Sequence, residues 1–250
     1  MSNFRILLIS IAFVLFSCED KNEVSFENKV ITGKGCTNCP QINIELLQAV
    51  GQDSLAIKIN TILNDEVIAL LNFNDEPSVA SVEEAVTAFE NSYTQLKSQF
   101  GAEIVPWEAE INAQIALQTD SLVTLKLDAY SFTGGAHGYS SVSFLNFNKA
   151  LAAPMMNDEL FLDVEQFTTF AEAAFRAQEK IPTAKNINAT GFMFEEDTFH
   201  LPLTIGYGAD GLVLWYNQYE IASYADGPVT LVLPYKEVNP YLVLPVNIKN

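Results

Sequence analysis

Val123, Leu125, Leu127 and Ala129 alternate with Thr124, Lys126, Asp128 and Tyr130. That period of two marks a half-buried strand. Residues 139–147, rich in Ser, Val, Phe and Tyr, are again strand-like. Between them lies Thr133-Gly134-Gly135-Ala136-His137-Gly138. Glycine serves where a backbone needs positive φ or where another group must approach closely. The segment is therefore a connection between two strands. It reads either as a tight loop that holds His137 by hydrogen bonds, or as a recognition or catalytic loop with His137 at its polar tip.

The surrounding pattern extends this pair. Ile111, Ala113, Ile115 and Leu117 alternate in a preceding strand, and Thr119–Ser121 turns the chain into the next. Residues 109–147 thus predict a three-stranded antiparallel meander with the Gly-rich loop at one end. Upstream, Ile42, Ile44 and Leu46 predict another strand. Ser54 is a candidate cap for a helix carrying Leu55, Ile59, Ile62, Leu63 and Leu70 on one face. Asn74–Pro77 separates it from a second helix, with Val82, Ala85, Val86, Phe89, Tyr93 and Leu96 as its apolar stripe.

A second subdomain begins near Lys149. Asp163 and Gln166 form a capping pair for a helix that buries Val164, Phe167, Phe170, Ala171, Ala174 and Phe175 and ends near Pro182. The segments 201–207, 212–216, 229–233 and 241–246 read as strands, with a turn at Gly208–Gly211. The sequence shows no internal repeat and no low-complexity block.

The N-terminus speaks to compartment. Arg5 is followed by the apolar run Ile6–Phe16, then Ser17 and Cys18. The run fits a signal-peptide core of ~7–15 residues and falls short of the ~20 a membrane span needs. Leu15-Phe16-Ser17-Cys18 resembles a lipobox, with residues 1–17 as the lipoprotein signal peptide and Cys18 as the lipidated residue. Phe16 is unusual before the small residue, and an ordinary secretory signal cleaved near Ser17 is the alternative. Residues 18–40 read as a tether, polar and without periodicity over 19–29. Glu19 and Asp20 read as part of a solvated tether or as an acidic surface-export signal.

Setting Cys18 aside leaves Cys36 and Cys39 in a Cys-x-x-Cys spacing. In an oxidising compartment a neighbouring pair favours a local disulfide. A redox site of the thioredoxin type would open a helix, whereas Pro40 and a strand-like stretch follow here. Zinc would need two further ligands, and none is evident nearby.

Removing residues 1–17, which hold one arginine and no acid, takes the net charge from −18 to −19. Such a surface disfavours nucleic acid and anionic membrane, leaving the lipid anchor as the expected membrane attachment. It attracts cationic partners, or simply keeps an exported protein soluble. The hydrophobic fraction of 49% suffices for one large domain or two small ones. Catalytic constellations are weak. No GxSxG, HExxH or Walker pattern occurs, and Gly206-Tyr207-Gly208 is too short for a nucleotide fingerprint. Glu195, Glu196 and Asp197 near His200 do not establish the opposed geometry of glycoside cleavage. Asn188-Ala189-Thr190 fits a glycosylation pattern that is incidental in a lipobox-bearing bacterial chain.

Two segments carry a family resemblance. Tyr130, Gly134, Gly135, Ala136, His137 and Gly138 form the first; Tyr219, Ile221, Ala222, Tyr224, Ala225 and Gly227 form the second. From about Gln41 to the C-terminus the chain resembles the domain family shared by the extracytoplasmic part of the anti-sigma factor RsiV and the N-terminal region of the peptidoglycan deacetylase PdaC. The resemblance implies an α+β fold of two packed subdomains, each a mainly antiparallel sheet with one or two helices. The expected division is a PdaC-like subdomain over 41–148 and an RsiV-like one over 149–250. It also implies an envelope location, on the periplasmic face or cell surface, and, as in RsiV-like members, lysozyme as a partner. Tyr130, Gly134, Gly135, His137, Tyr219 and Tyr224 are the candidate binding residues. The sigma-binding segment and membrane helix of RsiV-like proteins are not expected here. Nor is the metal-dependent deacetylase domain of PdaC, because His137 and His200 are the only histidines. The expectation is a non-catalytic envelope lipoprotein, without metal or cofactor, that recognises a cationic protein such as lysozyme or a cell-wall glycan. The alternative is a carbohydrate-active enzyme or other hydrolase using His137 with a nearby carboxylate.

Overall fold

A computed structural model describes residues 23–72, 79–101 and 104–247. Cys18, its flanking lipobox and the Asn74–Pro77 break lie outside the described residues. The described chain is α+β. A six-stranded sheet has the order β1 (Phe26–Thr32), β2 (Gln41–Ala49), β3 (Glu108–Gln118), β4 (Leu122–Phe132), β5 (Tyr139–Asn148) and β6 (Ala153–Met155). All neighbours are antiparallel except β2 and β3. That parallel pair is bridged by two helices, α1 (Ser54–Leu71) and α2 (Val82–Phe100), as a parallel connection requires a crossover. A second, antiparallel sheet joins β7 (Thr204–Tyr207), β8 (Leu212–Tyr216) and β9 (Val229–Leu233), with α3 (Val164–Gln178) and the short α4 (Tyr235–Val238). Among the described residues no helix is long and apolar enough to cross a membrane.

The predicted meander is β3–β4–β5. Elsewhere the chain departs from its pattern for physical reasons. Phe26–Thr32, placed in the tether by its polarity, is instead the edge strand β1. An edge strand exposes one side, and Lys29 secures it to α2 through Glu83 at 2.9 Å. Asp53, not Ser54, caps α1, accepting from the Leu55 and Ala56 amides. The buried face of α1 is Ala56, Ile59, Leu63, Val67 and Leu71, while Leu55, Ile62 and Leu70 flank it. The α2 stripe is buried as predicted from Val82 to Tyr93, with Leu96 partly buried. The alternation of β3 breaks at a bulge between Ile115 and Leu117. Ile115 is left exposed, and Leu117 turns to the opposite face, where it meets the second core. Asp163 caps α3 and is bonded by Gln166 as expected, but the helix ends at Gln178 and Val164 is exposed. Residues 241–246 form no strand. Leu242 makes an isolated bridge to Phe161, and Asn239 pairs with both backbone groups of Val246.

Two cores result. One lies between the first sheet and α1–α2; the other is enclosed by α3 and the second sheet. They meet where β7 crosses β5. Leu122 of β4 points into the second core. Beside it a buried polar link forms: Thr124 Oγ1 donates to Asn146 Oδ1 at 2.9 Å, and Asn146 Nδ2 donates to the Ile205 carbonyl at 2.8 Å. A Cβ on Gly206 would stand 2.2 Å from the Phe144 ring, so β7 lies this close only because residue 206 has no side chain.

Candidate functional site

The site grows from the β4–β5 connection. Gly134 and Gly135 have φ of 102° and 91°, in the left-handed region, with nothing near their missing side chains. Their requirement is one of backbone conformation. Gly138 is needed for space: a Cβ there would lie 2.4 Å from the Tyr130 ring. Tyr130 therefore lies against the foot of the loop.

His137 emerges next to this contact, exposed to solvent. Its ring stacks on Tyr224, with centroids 3.8 Å apart and planes 20° off parallel. Nδ1 is 3.0 Å from the Gly138 carbonyl, which can only accept, so in the neutral ring Nδ1 carries the proton. Nε2 then accepts from the Tyr219 hydroxyl at 3.5 Å, a long contact. Tyr224 Oη donates to the same Gly138 carbonyl at 3.2 Å. Tyr219 sits 5.6 Å from the Tyr224 ring, 58% exposed, on a left-handed backbone with φ of 69°. A non-glycine residue in that region costs about 1–3 kcal/mol, and such strain clusters at functional sites.

The second segment is fixed by residues that sequence reasoning passed over. Asn217 behaves as an extra strand partner for β5: its Oδ1 accepts from the Val142 amide at 2.8 Å and its Nδ2 donates to the Val142 carbonyl at 3.0 Å. Glu220 accepts from the Asn217 and Leu203 amides, both at 2.8 Å. These bonds set the turn that presents Tyr219. Their only sequence signal is an Asn and a Glu closely following the apolar β8. Ser223 and Asp226 brace the following turn, leading into Gly227 at φ 74°. Partial burial and, second, the Glu220 charge push the Tyr139 phenol above its ordinary value.

Beside the aromatic cluster, a groove of about 590 Å³ runs over the open face of the first sheet. Its floor includes Glu45, Glu110, Asn112, Asp128 and Tyr130; Trp215, Asn217 and Gln218 form a wall from the second subdomain. Glu45 accepts from Asn43 and Asn112, and Asp128 from Gln114 and Lys126. The Lys126 ammonium lies 5.3 Å from the centre of the Trp215 ring.

Of the six candidate residues, Tyr130, His137, Tyr219 and Tyr224 come together, and Gly134 and Gly135 form the open tip. No carboxylate among the described residues forms an ion pair with His137. His200 is elsewhere, with Nδ1 3.1 Å from the Leu201 carbonyl and its ring near Phe194 and Tyr216. Asp197 accepts from Asn188, whose side chain also pairs with both backbone groups of Phe194. That triple engagement gives the sequon asparagine a structural role. Among the described residues no cluster of three or more His, Cys, Asp or Glu is arranged to hold a metal. The Cys36 and Cys39 sulfurs are bonded, with Cα atoms 5.2 Å apart, in a turn tied to α2 through Lys34–Glu90 and Lys97.

Fold and site together define a class: α+β proteins of two subdomains whose signature segments meet at one aromatic cluster. Residues 34–140 match the sequence profile of "Deacetylase PdaC", and residues 158–236 match that of a "Protein of unknown function (DUF3298)". By these matches the chain carries a PdaC-type domain followed by a DUF3298 domain. It is similar in structure to a DUF3298 member from Bacteroides fragilis, at 20% identity and a TM-score of 0.68, covering 89% of this chain and 93% of that one. A DUF3298 protein from Pseudomonas aeruginosa is similar at 21% identity and a TM-score of 0.62, covering 89% and 95%. No curated protein matches.

Proposed function

We propose that this protein is a non-catalytic, lipid-anchored component of the bacterial cell envelope that recognises a protein or cell-wall ligand at the His137–Tyr224–Tyr219 cluster. The carrying observation is convergence. Two family segments, on different subdomains, meet in a stack of His137 on Tyr224, beside an exposed Tyr219 held on left-handed backbone. Aromatic rings presented this way bury large area with few torsions to order, which suits a binding anchor. The acidic groove beside the stack and the −19 charge favour a cationic partner, of which lysozyme is the candidate. His137 pairs with a carbonyl and a phenol rather than a carboxylate, which favours binding over hydrolysis.

The test is binding of the soluble mature domain to lysozyme and to peptidoglycan fragments, at low and physiological ionic strength, with an unrelated basic protein as control. Lysozyme association should be faster at low salt yet persist at physiological salt. Equal affinity for both basic proteins, with no glycan binding, would reduce the effect to charge pairing and reject the reading.

A further inference from the structure

The aromatic cluster and the point where the chain enters the fold occupy opposite ends of the same strands. Val24 donates to the Gln118 side chain, which returns a bond to the Val24 carbonyl at the far end of β3. The β3–β4 and β5–β6 turns close this end, joined by Lys149 N to the Ser121 carbonyl. The His137 loop caps the other end of β4 and β5. β4 spans Leu122–Phe132, about 33 Å at ~3.3 Å per residue.

The entry end also displays apolar side chains. Leu151, in the β5–β6 turn, is 73% exposed. Val50 follows the last residue of β2, pairs through its amide with Ser25, and is 46% exposed. Ile57, in the first turn of α1, is 52% exposed. It lies about a turn before Asn60, whose side chain brackets the backbone of Ala49. Charges around them are mixed, with Glu23, Asp53 and Asp120 against Lys58 and Lys149.

We propose that this end, with Leu151, Val50 and Ile57, rests on the bilayer that holds the lipid anchor, and that the His137 cluster points away from it. The inference rests on the lipid-anchor reading. From Cys18 to Glu23 is a stretch of five residues, reaching about 17 Å at most when fully extended. An anchor that short keeps the entry end near the headgroups, where exposed aliphatic side chains gain by shallow burial. The opposite end is about 33 Å further out along the strands, where a soluble partner meets it.

The test uses full-length protein, processed and lipidated in a bacterial host and reconstituted into phosphatidylcholine vesicles with brominated acyl chains. Leu151→Trp and Ile57→Trp report contact, Tyr139→Trp reports the far end, and wild type supplies the background of Trp107 and Trp215. Unchanged melting temperatures confirm folding. Leu151→Trp should lose about half or more of its added emission, and Tyr139→Trp none, since brominated acyl chains quench at short range only rings that reach into the bilayer, as shallowly buried interfacial side chains do. Vesicle-bound protein with unquenched Leu151→Trp, or with both reporters quenched alike, overturns the orientation while leaving the anchor intact. Protein that fails to bind vesicles, with a mature N-terminus other than Cys18, rejects the anchor reading and the orientation with it.

Discussion

Gly138 and Gly206 are held by contact, not by backbone conformation. Each lies against an aromatic ring, Tyr130 and Phe144 respectively, at distances no Cβ could occupy. Either glycine to alanine should destabilise the protein by about 1–3 kcal/mol, read as a lower denaturant midpoint at unchanged slope. Gly206→Ala should also loosen the contact between subdomains, because Phe144 belongs to the first and β7 to the second. Gly134→Ala, with open space around it, should cost only the strain of its left-handed backbone, about 1 kcal/mol. Gly134, Gly135, Gly138 and His137 were legible in sequence because they interrupt a clear alternation; the packing role of Gly206 was not. The His137–Tyr224 stack was not, since it joins residues of two subdomains and no local period encodes such a contact. Asn217 escaped for the same reason: a side chain that imitates a strand partner looks like any loop asparagine.

At the scale of elements, the buried Thr124–Asn146–Ile205 relay joins the sheets. Asn146→Ala leaves the Thr124 hydroxyl and the Ile205 carbonyl without their partner and should cost about 1–3 kcal/mol in equilibrium unfolding. Strand β1 carries a surface attachment in addition to its ladder with β2. The Lys29 hydrogen bond, first among its causes, holds the Glu83 carboxyl below its ordinary 4.5. A depressed carboxylate contributes stability that is present above its unfolded pKa and lost as pH falls through its folded one. The melting-temperature gap between wild type and Glu83→Gln should therefore be small at neutral pH, because the pair is exposed, and should shrink and vanish as acid protonates the Glu83 carboxyl. A gap that widens in acid would contradict this role. The closed Cys36–Cys39 loop is so short that its reduction should cost about 2 kcal/mol or less. Periods were readable where one face is buried, as in α2 and β2. They failed at β1, whose polar edge resembles a linker, and at Leu117, where a bulge switches the face.

The whole molecule is two cores sharing one seam, with an aromatic stack where both subdomains contribute. Along the strands, the point where the described chain begins and the stack lie at opposite ends. Net charge and fold were legible from composition and the family segments, whereas the opposition of the two ends emerges only from strand register. The central claim is that the His137–Tyr224–Tyr219 stack is a recognition surface and not a structural brace. Paired measurement of ligand affinity and melting temperature for His137→Ala tests this most directly, using lysozyme and peptidoglycan fragments as ligands. An exposed recognition residue should lose roughly tenfold or more in affinity, as hot-spot truncation does, at a melting temperature close to wild type. A brace would give the opposite: a lowered melting temperature, with any loss of binding following the fraction unfolded.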